Sequence, residues 1–234
     1  MKECGKELVL ESEGDAWFER NKDVIENGGN TEWNVAEGCR LFSDILQNMN
    51  IFQERVETVL EIGCSFGYNL MYLNKKYPWK YTGIDPSVKA VEYGNQLSEK
   101  NKLNVSLVRG TADELPFEDE SFDIVLLGFC MYNLDRKYIY KTISEIDRVV
   151  RTNGLVAVWD FDTRIPYKRE NIHSKYLPTY KFDVVNLFCG NPQYTLIEKR
   201  SFSHLGRAFR SDIQERCALE VFYKEKIEEG YIVL

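Results

Sequence analysis

The sequence of 234 residues predicts an α/β fold, a doubly wound, seven-stranded and mostly parallel sheet with N-terminal helices and an antiparallel closing strand pair. Strand-like and helix-like patterns alternate over residues 57–160, which is typical of parallel strands joined by helical crossovers. The apolar runs at 124–127 and 155–158 do not alternate with polar residues, as expected for strands that are covered on both faces.

Local patterns define the individual elements. A first helix begins over residues 15–20, and residues 38–49 carry apolar side chains at helical spacing, with a loop at 26–30 between the two helices. The core elements are predicted as strands at 58–62, 80–84, 105–109, 122–127 and 154–160, and as helices at 67–76, 87–101, 111–114 and 137–150. Residues 194–202 and 216–224 have the pattern of two closing strands.

Charge and cysteine content argue against several classes of function. The formal net charge is −7, which disfavours binding to nucleic acid or to an acidic lipid surface. The cysteines are scattered without a CxxC pair, so we expect no metal site and a reducing, cytoplasmic location. Cys64 and Cys130 are interpreted as packing residues. No apolar run approaches the ~20 residues of a membrane-spanning helix, and no hydrophobic signal region opens the chain.

The most informative segment is the turn after the first predicted strand, which reads EIGCSFG at 61–67. Small residues at Gly63, Ser65 and Gly67 allow the backbone to approach a ligand closely. The helical pattern that follows would direct unpaired N–H groups toward an anionic ligand group. The turn therefore predicts a site for a nucleotide-type ligand.

Acidic residues follow the next two strands. Asp85, with Pro86 after it, lies about 20 residues beyond the glycines, where a carboxylate accepts hydrogen bonds from ribose hydroxyls. The alternative is that Asp85 caps the next helix. Asp113, after Ala112, is placed to accept from an adenine amino group, with Leu115 beside the ring. Its alternative role is to cap a short helix.

With these motifs, residues 57–160 resemble the class I S-adenosylmethionine-dependent methyltransferases, in particular the group that includes ubiquinone and menaquinone methyltransferases. The family pattern is an acidic residue followed by x-Gly-x-Gly-x-Gly, and Glu61, Gly63, Ser65 and Gly67 occupy its positions, with serine at the middle glycine. A nicotinamide-dependent dehydrogenase would require Gly-x-Gly-x-x-Gly, which this turn misses at Ser65 and Tyr68.

The resemblance implies the Rossmann-like methyltransferase fold, S-adenosyl-L-methionine as cofactor and S-adenosyl-L-homocysteine as product. The contacts it implies are Gly63 with the methionine moiety, Asp85 with the ribose, Ala112 and Asp113 with the adenine, and Gly128 and Phe129 with the sulfonium. A hydroxyl at Ser65 is further placed to bind the methionine carboxylate.

Few catalytic groups are expected, because methyl transfer from a sulfonium mainly requires alignment and the exclusion of water. A base is needed only for an acceptor that is protonated at working pH. The candidates at the mouth of the site are Tyr132, just past the fourth strand, and Asp160 and Asp162, at the end of the fifth. Of the two histidines, His173 is preferred over His204 because it lies in the expected substrate loop.

The single domain, 1–234, is predicted to contain a helical cap at 1–55, a cofactor-binding core at 56–160, a substrate-side insertion at 161–192 and closing strands at 193–234. The opening at 13–21 is similar to that of methyltransferases of bacterial surface-sugar biosynthesis. Trp17 and Asn21, with Phe18, are expected to line the cofactor as part of a lid, or else to pack as an amphipathic helix.

The insertion indicates the kind of acceptor. It mixes cations with aromatic rings, and these groups bind phosphates and stack on sugar faces. We therefore expect a small, sugar-bearing or anionic acceptor, with O-methylation of a sugar or polysaccharide precursor as the leading hypothesis. The alternatives are a non-catalytic S-adenosylmethionine-binding module and an RNA or protein methyltransferase. Nucleic acid is not expected as a partner, and the sequence leaves the oligomeric state open.

Overall fold

The computed structural model describes residues 5–27, 36–49, 55–171, 177–206 and 208–226. Its strands are β1 (Thr58–Ile62), β2 (Lys80–Asp85), β3 (Val105–Arg109), β4 (Phe122–Gly128), β5 (Val150–Phe161), β6 (Tyr167–Arg169), β7 (Thr179–Lys181), β8 (Tyr194–Ser203) and β9 (Arg216–Lys224). Seven of them form one sheet in the order β3-β2-β1-β4-β5-β9-β8, and β6 pairs with β7 in a second sheet. Neighbours from β3 to β5 are parallel, whereas β9 is antiparallel to both β5 and β8.

The described helices flank this sheet. They are α1 (Gly5–Leu8), a π-helical turn (Val9–Glu13), α2 (Gly14–Asn27), α3 (Glu37–Gln47), α4 (Tyr68–Asn74), α5 (Val88–Lys100), α6 (Ile139–Val149) and α7 (Val185–Cys189), with 3₁₀ turns at Met131–Asn133 and Arg136–Tyr138. In the described part of the chain, no helix combines the length and apolarity that crossing a membrane requires.

Both faces of the sheet are buried, which explains the unbroken apolar runs in the central strands. Val59 contributes to the core cluster that contains Trp159, whereas the next residue, Leu60, contributes to the opposite cluster. Trp159 is fully buried. A Cβ atom at Gly38 of α3 would lie 2.2 Å from Trp159 Cγ, so the glycine allows α3 to pack directly on the indole ring. The predicted doubly wound α/β sheet with its antiparallel closing pair is therefore confirmed.

Several local predictions were wrong. The helix predicted at 111–114 is a turn closed by a bridge between Thr111 and Glu114. Leu115, which follows it, is buried, and its N–H donates to the Glu145 carboxylate at 2.7 Å. The burial of Leu115 and its hydrogen bond to Glu145 therefore fix the conformation of this segment as a turn and not as a helix. Helix α2 continues through Asn27, so residues 26 and 27, predicted as the start of a loop, are helical, and the rest of the predicted loop, 28–30, lies outside the described residues.

The insertion is more regular than its sequence suggested. It contains β6, β7 and α7, whose lengths of three to five residues are too short to produce a recognisable period. The fifth strand is also longer than predicted, since it begins at Val150 and ends at Phe161. The closing strands lie where the sequence placed them.

Candidate functional site at the ends of the first five strands

The glycine turn after β1 folds back over the end of β2. Gly63, Ser65 and Gly67 all have left-handed backbones, with φ of 72°, 51° and 77°. The N–H groups of Gly63 and Cys64 donate to Ile84 O at 2.8 and 3.2 Å. The absence of a side chain at Gly63 matters, because a Cβ atom there would lie 2.9 Å from Cys130 Sγ.

Asp85 connects this turn to the next helix. Its Oδ2 accepts from Ser65 N at 2.8 Å, and its Oδ1 accepts from Ser87 N at 2.9 Å. The helix cap is Ser87, whose hydroxyl accepts from Ala90 N at 3.0 Å, so the alternative role of Asp85 as the cap was wrong. Burial raises the pKa of Asp85 to about 6, although both backbone hydrogen bonds oppose this shift. The neighbouring Pro86 accepts from Arg109 Nε through its carbonyl oxygen.

Two buried polar atoms beside the turn have no hydrogen-bond partner among the described residues. They are Glu61 Oε2 and Ser65 Oγ. The other carboxylate oxygen, Glu61 Oε1, accepts from Asn69 Nδ2 at 2.7 Å. Since buried polar atoms in proteins are nearly always paired, these two are suited to hold the polar groups of a ligand. The residues therefore have the chemistry to hold the amino-acid end of S-adenosylmethionine, and that contact stays a prediction.

Glu61 is expected to make the stability of the protein depend on pH. Burial raises its pKa from 4.5 to about 8, opposed by the hydrogen bond from Asn69. The folded state therefore holds a proton that the unfolded state releases, and this contribution to stability is lost as pH rises from 4.5 toward 8. We expect Glu61→Gln to remove a few kcal/mol of this pH dependence, measured by urea unfolding across that interval. A wild-type slope in the variant would contradict the assignment.

Asp113 lies beyond β3, where it contacts the N-terminal helix. Lys6 Nζ lies 2.9 Å from Asp113 Oδ2. Burial opposes ionisation of Asp113, but hydrogen bonds from Lys6 and Thr111 outweigh it and lower the pKa of the carboxyl group. Ala112 is buried beside it. The N-terminal residues thus cover the edge of the sheet where the adenine was predicted.

Further contacts hold the N-terminal helices over this edge. Arg109 Nη2 donates to Leu10 O at 2.6 Å, and the Ser87 hydroxyl donates to Asp15 Oδ1 at 2.6 Å. Phe18 is buried and its ring meets the Phe66 ring edge-on, with centroids 5.9 Å apart. Helix α2 therefore packs through this side chain on the glycine turn itself.

The other lid candidates lie on the same helix. Trp17 is half-buried against the cluster formed around Phe18 and Phe66. Asn21 Nδ2 donates to Trp17 O at 2.8 Å. These positions fit packing of α2 on the domain, and contact of Trp17 or Asn21 with the cofactor stays a prediction.

The mouth of the site lies at the ends of β4 and β5. Phe129, which follows Gly128, has φ of 48°, and its N–H donates to Trp159 O at 2.8 Å. Asp160 is 4% exposed, and its two oxygens accept from Tyr132 N at 3.1 Å and Phe161 N at 2.7 Å. Burial raises the pKa of Asp160 to about 7. Asp160 therefore fixes the turn that carries Tyr132.

Aromatic rings surround this mouth. Tyr132 and Phe129 both meet Phe161 edge-on, at centroid distances of 5.3 and 5.7 Å. His204 is exposed to solvent on one side but stacks on Phe161 at 5.4 Å. Burial against these rings lowers the pKa of His204. The structure thus brings His204 to the mouth, whereas His173, preferred from sequence, lies outside the described residues.

Asp162, the other acidic candidate, belongs to an ion cluster beside the mouth. Among the described residues, Asp162, Asp183 and Glu220 are the carboxylates close enough together to share a cation. Lys199 Nζ lies 3.2, 3.5 and 2.6 Å from their oxygens. One ammonium therefore lies within ion-pair distance of all three carboxylates and balances part of their charge.

Other residues of the site were not predicted from sequence. They are Lys6 and Asn69, and the role of Lys6 depends on a contact between distant segments, since Lys6 and Asp113 are 107 positions apart. Asn69 offered a weak signal, because it lies in the first turn of the helix after the glycines, eight positions beyond Glu61.

The fold is of the doubly wound α/β class, and the residues predicted to bind a nucleotide-type ligand lie together at the ends of its first three strands. A family model described as a methyltransferase domain matches residues 59–154. The matched residues extend from β1 into β5 and include, among the predicted cofactor contacts, Glu61, Asp85 and Asp113.

Curated relatives share this region. The chain is 36% identical over 100 residues to demethylmenaquinone methyltransferase of Staphylococcus aureus, covering 42% of this chain and 40% of that protein. It is 31% identical over 121 residues to phthiotriol/phenolphthiotriol dimycocerosates methyltransferase of Mycobacterium tuberculosis, covering 44% and 42%. The match thus spans about two fifths of the length of these relatives.

A solved structure extends the likeness of the fold to most of the chain. The 1,6-didemethyltoxoflavin-N1-methyltransferase of Burkholderia thailandensis was crystallised with 1,6-didemethyltoxoflavin and S-adenosylhomocysteine. It aligns with a TM-score of 0.70 and 16% identity, covering 94% of this chain and 89% of its own.

Proposed function

We propose that this chain transfers the methyl group of S-adenosylmethionine to a small polar acceptor. The observation that carries the proposal is that two buried atoms, Ser65 Oγ and Glu61 Oε2, have no hydrogen-bond partner in the described part of the chain and lie beside a turn of three left-handed residues. A turn of this kind leaves room for a ligand that brings its own donors and acceptors close to the backbone.

Each part of the cofactor has residues suited to bind it. Ser65 and Glu61 would bind its carboxylate and ammonium groups, and Asp85 would accept hydrogen bonds from the ribose hydroxyls. Ala112 and Asp113 would contact the adenine, with Lys6 moving to free a carboxylate oxygen. When bound, the cofactor supplies an activated methyl group on a positively charged sulfur.

The chain's own contribution to the transfer is alignment. Tyr132 has a pKa raised by burial to about 12, so at neutral pH its hydroxyl is protonated and can donate to the acceptor. Asp160 acts through the backbone of Tyr132 as a positioning residue. If the acceptor is a hydroxyl compound, His204 would serve as the base that removes its proton. Burial lowers the pKa of His204, so the imidazole is neutral at pH 7 and can accept a proton.

The ring-lined mouth favours an acceptor with a flat face. Phe129, Phe161 and His204 present edges and faces within 6 Å of one another. Such rings stack on conjugated rings and also on sugar faces. The relatives are named for quinone, lipid and heterocyclic compounds. We therefore rank a ring-bearing metabolite first and keep O-methylation of a sugar or polysaccharide precursor as the second candidate.

The test is detection of a methylated product. We expect the protein, incubated with S-adenosylmethionine and a panel of hydroquinones, phenols, heterocycles and nucleotide sugars, to yield S-adenosylhomocysteine and an acceptor heavier by one methylene group in mass spectrometry. Cofactor binding without turnover on any acceptor class would favour a binding module instead. Turnover on RNA or protein alone, with steep salt dependence, would favour a macromolecular acceptor.

A further inference from the structure

Lys181 is a buried cation at the mouth of the site. Lys181 is 5% exposed, and its Nζ lies 3.4 Å from the centroid of the Phe161 ring. The same ammonium donates to Gln214 O at 2.7 Å. Since His204 stacks on Phe161 too, Lys181 lies in the wall of the proposed acceptor site.

The small second sheet, formed by β6 and β7, directs the Lys181 side chain toward Phe161. Successive side chains of a strand point to opposite faces. Tyr180 and Phe182 hold the Arg136 guanidinium, which lies 4.6 and 4.3 Å from their ring centroids. Lys181, between them in sequence, is therefore directed the other way, toward Phe161. One face of the β6–β7 pair thus places Lys181 at the mouth, and the other face packs against Arg136.

Lys181 has no counter-ion within the described residues. Its contacts there are the Gln214 carbonyl oxygen and the Phe161 ring, and no carboxylate lies within ion-pair distance. The acidic groups of Glu215 and Asp160 attract its charge only from farther away. A buried ammonium without a close counter-ion is costly, so an anion bound beside it would lower that cost.

Arg169 strengthens the positive potential. Its Nη1 donates to Gln214 Oε1 at 3.0 Å, so one neutral glutamine holds both cations. Burial lowers the pKa of Lys181, and the charge of Arg169 lowers it further. An anion beside both groups would relieve the repulsion between them.

We propose that Lys181 binds an anionic group of the acceptor, a carboxylate or an ionised phenol or enol, and thereby selects acidic acceptors. This inference rests on the proposed function, because it requires the acceptor to lie against Phe161. The ammonium would donate a charge-assisted hydrogen bond from a site that the aromatic rings protect from water. A neutral sugar would leave the charge unpaired.

The test uses two probes of the same shape and different charge, para-hydroxybenzoate and para-hydroxybenzamide. Each is titrated, by ligand-observed NMR, into protein saturated with S-adenosylhomocysteine. We expect the wild type to bind the carboxylate about tenfold more tightly than the amide. Lys181→Met should abolish this preference, and Lys181→Arg should retain most of it. Lys168→Met is the matched control, because Lys168 is exposed and lies on the opposite face of the same strand pair.

Three outcomes would overturn the inference: equal binding of the two probes by the wild type, no binding of either probe, or an unchanged preference in Lys181→Met. If Lys181→Met fails to fold, Lys181→Gln carries the same expectation. Titration of S-adenosylhomocysteine alone tests the proposed function separately from the role of Lys181. Its failure to bind the wild type contradicts the proposed function, whereas normal binding without charge preference contradicts only the role of Lys181.

Discussion

Replacing Asp85 by alanine is expected to lower the affinity for S-adenosylhomocysteine by about a hundredfold, measured by isothermal titration. The carboxylate would accept hydrogen bonds from two ribose hydroxyls while it still anchors Ser65 N and Ser87 N. Hydrogen bonds to a charged group contribute roughly 1.5–3 kcal/mol each, and about 1.4 kcal/mol corresponds to a factor of ten in affinity.

The control is chosen to separate binding from folding. Glu92 lies exposed on α5, the helix that follows Asp85, so Glu92→Ala removes a carboxylate nearby without touching the site. It should bind the ligand like the wild type. Asp85→Asn should also bind weakly, because its amide has a single accepting oxygen and an NH2 group that donates in place of the second. Wild-type affinity in a well-folded Asp85→Ala variant would defeat the ribose assignment.

Gly63→Ala is expected to cost about 2–4 kcal/mol of unfolding free energy and to abolish cofactor binding. The φ of 72° disfavours any residue with a side chain, and the new methyl group would lie 2.9 Å from Cys130 Sγ. Chemical denaturation measures the first effect and isothermal titration the second.

Two further variants divide this effect into its parts. Gly206→Ala keeps a positive φ, of 146°, at a position where a Cβ atom meets nothing within 4 Å, so it reports the backbone cost alone. Gly63→Ala combined with Cys130→Ala removes the sulfur and should recover part of the lost stability. No recovery in the double variant would show that steric overlap with Cys130 is not the cause.

The sequence predicted the parts of this molecule that depend on local pattern. Strands buried on both faces produced apolar runs, and the small residues at Gly63, Ser65 and Gly67 indicated the turn because their backbone conformations leave few alternatives. The segment at 111–114 was predicted wrongly, since the buried side chain of Leu115 and the carboxylate of Glu145 decide its conformation.

The acceptor side was less predictable because it is assembled from distant segments. His204 meets Phe161 only when the loop after β8 folds back over the end of β5. In the sequence, Lys181 is one of several cations of the insertion, and only the short β6–β7 pair directs it toward Phe161. Short strands carry too few residues for their alternation to be read from sequence.

A crystal structure with bound S-adenosylhomocysteine would show where the cofactor binds. We predict that the nucleoside lies across the ends of β1, β2 and β3, with Asp85 within hydrogen-bond distance of the ribose and Asp113 near the adenine amino group. The amino-acid portion should contact Ser65 and point toward Tyr132. A ligand bound elsewhere, or bound there without contact to either aspartate, would contradict the account.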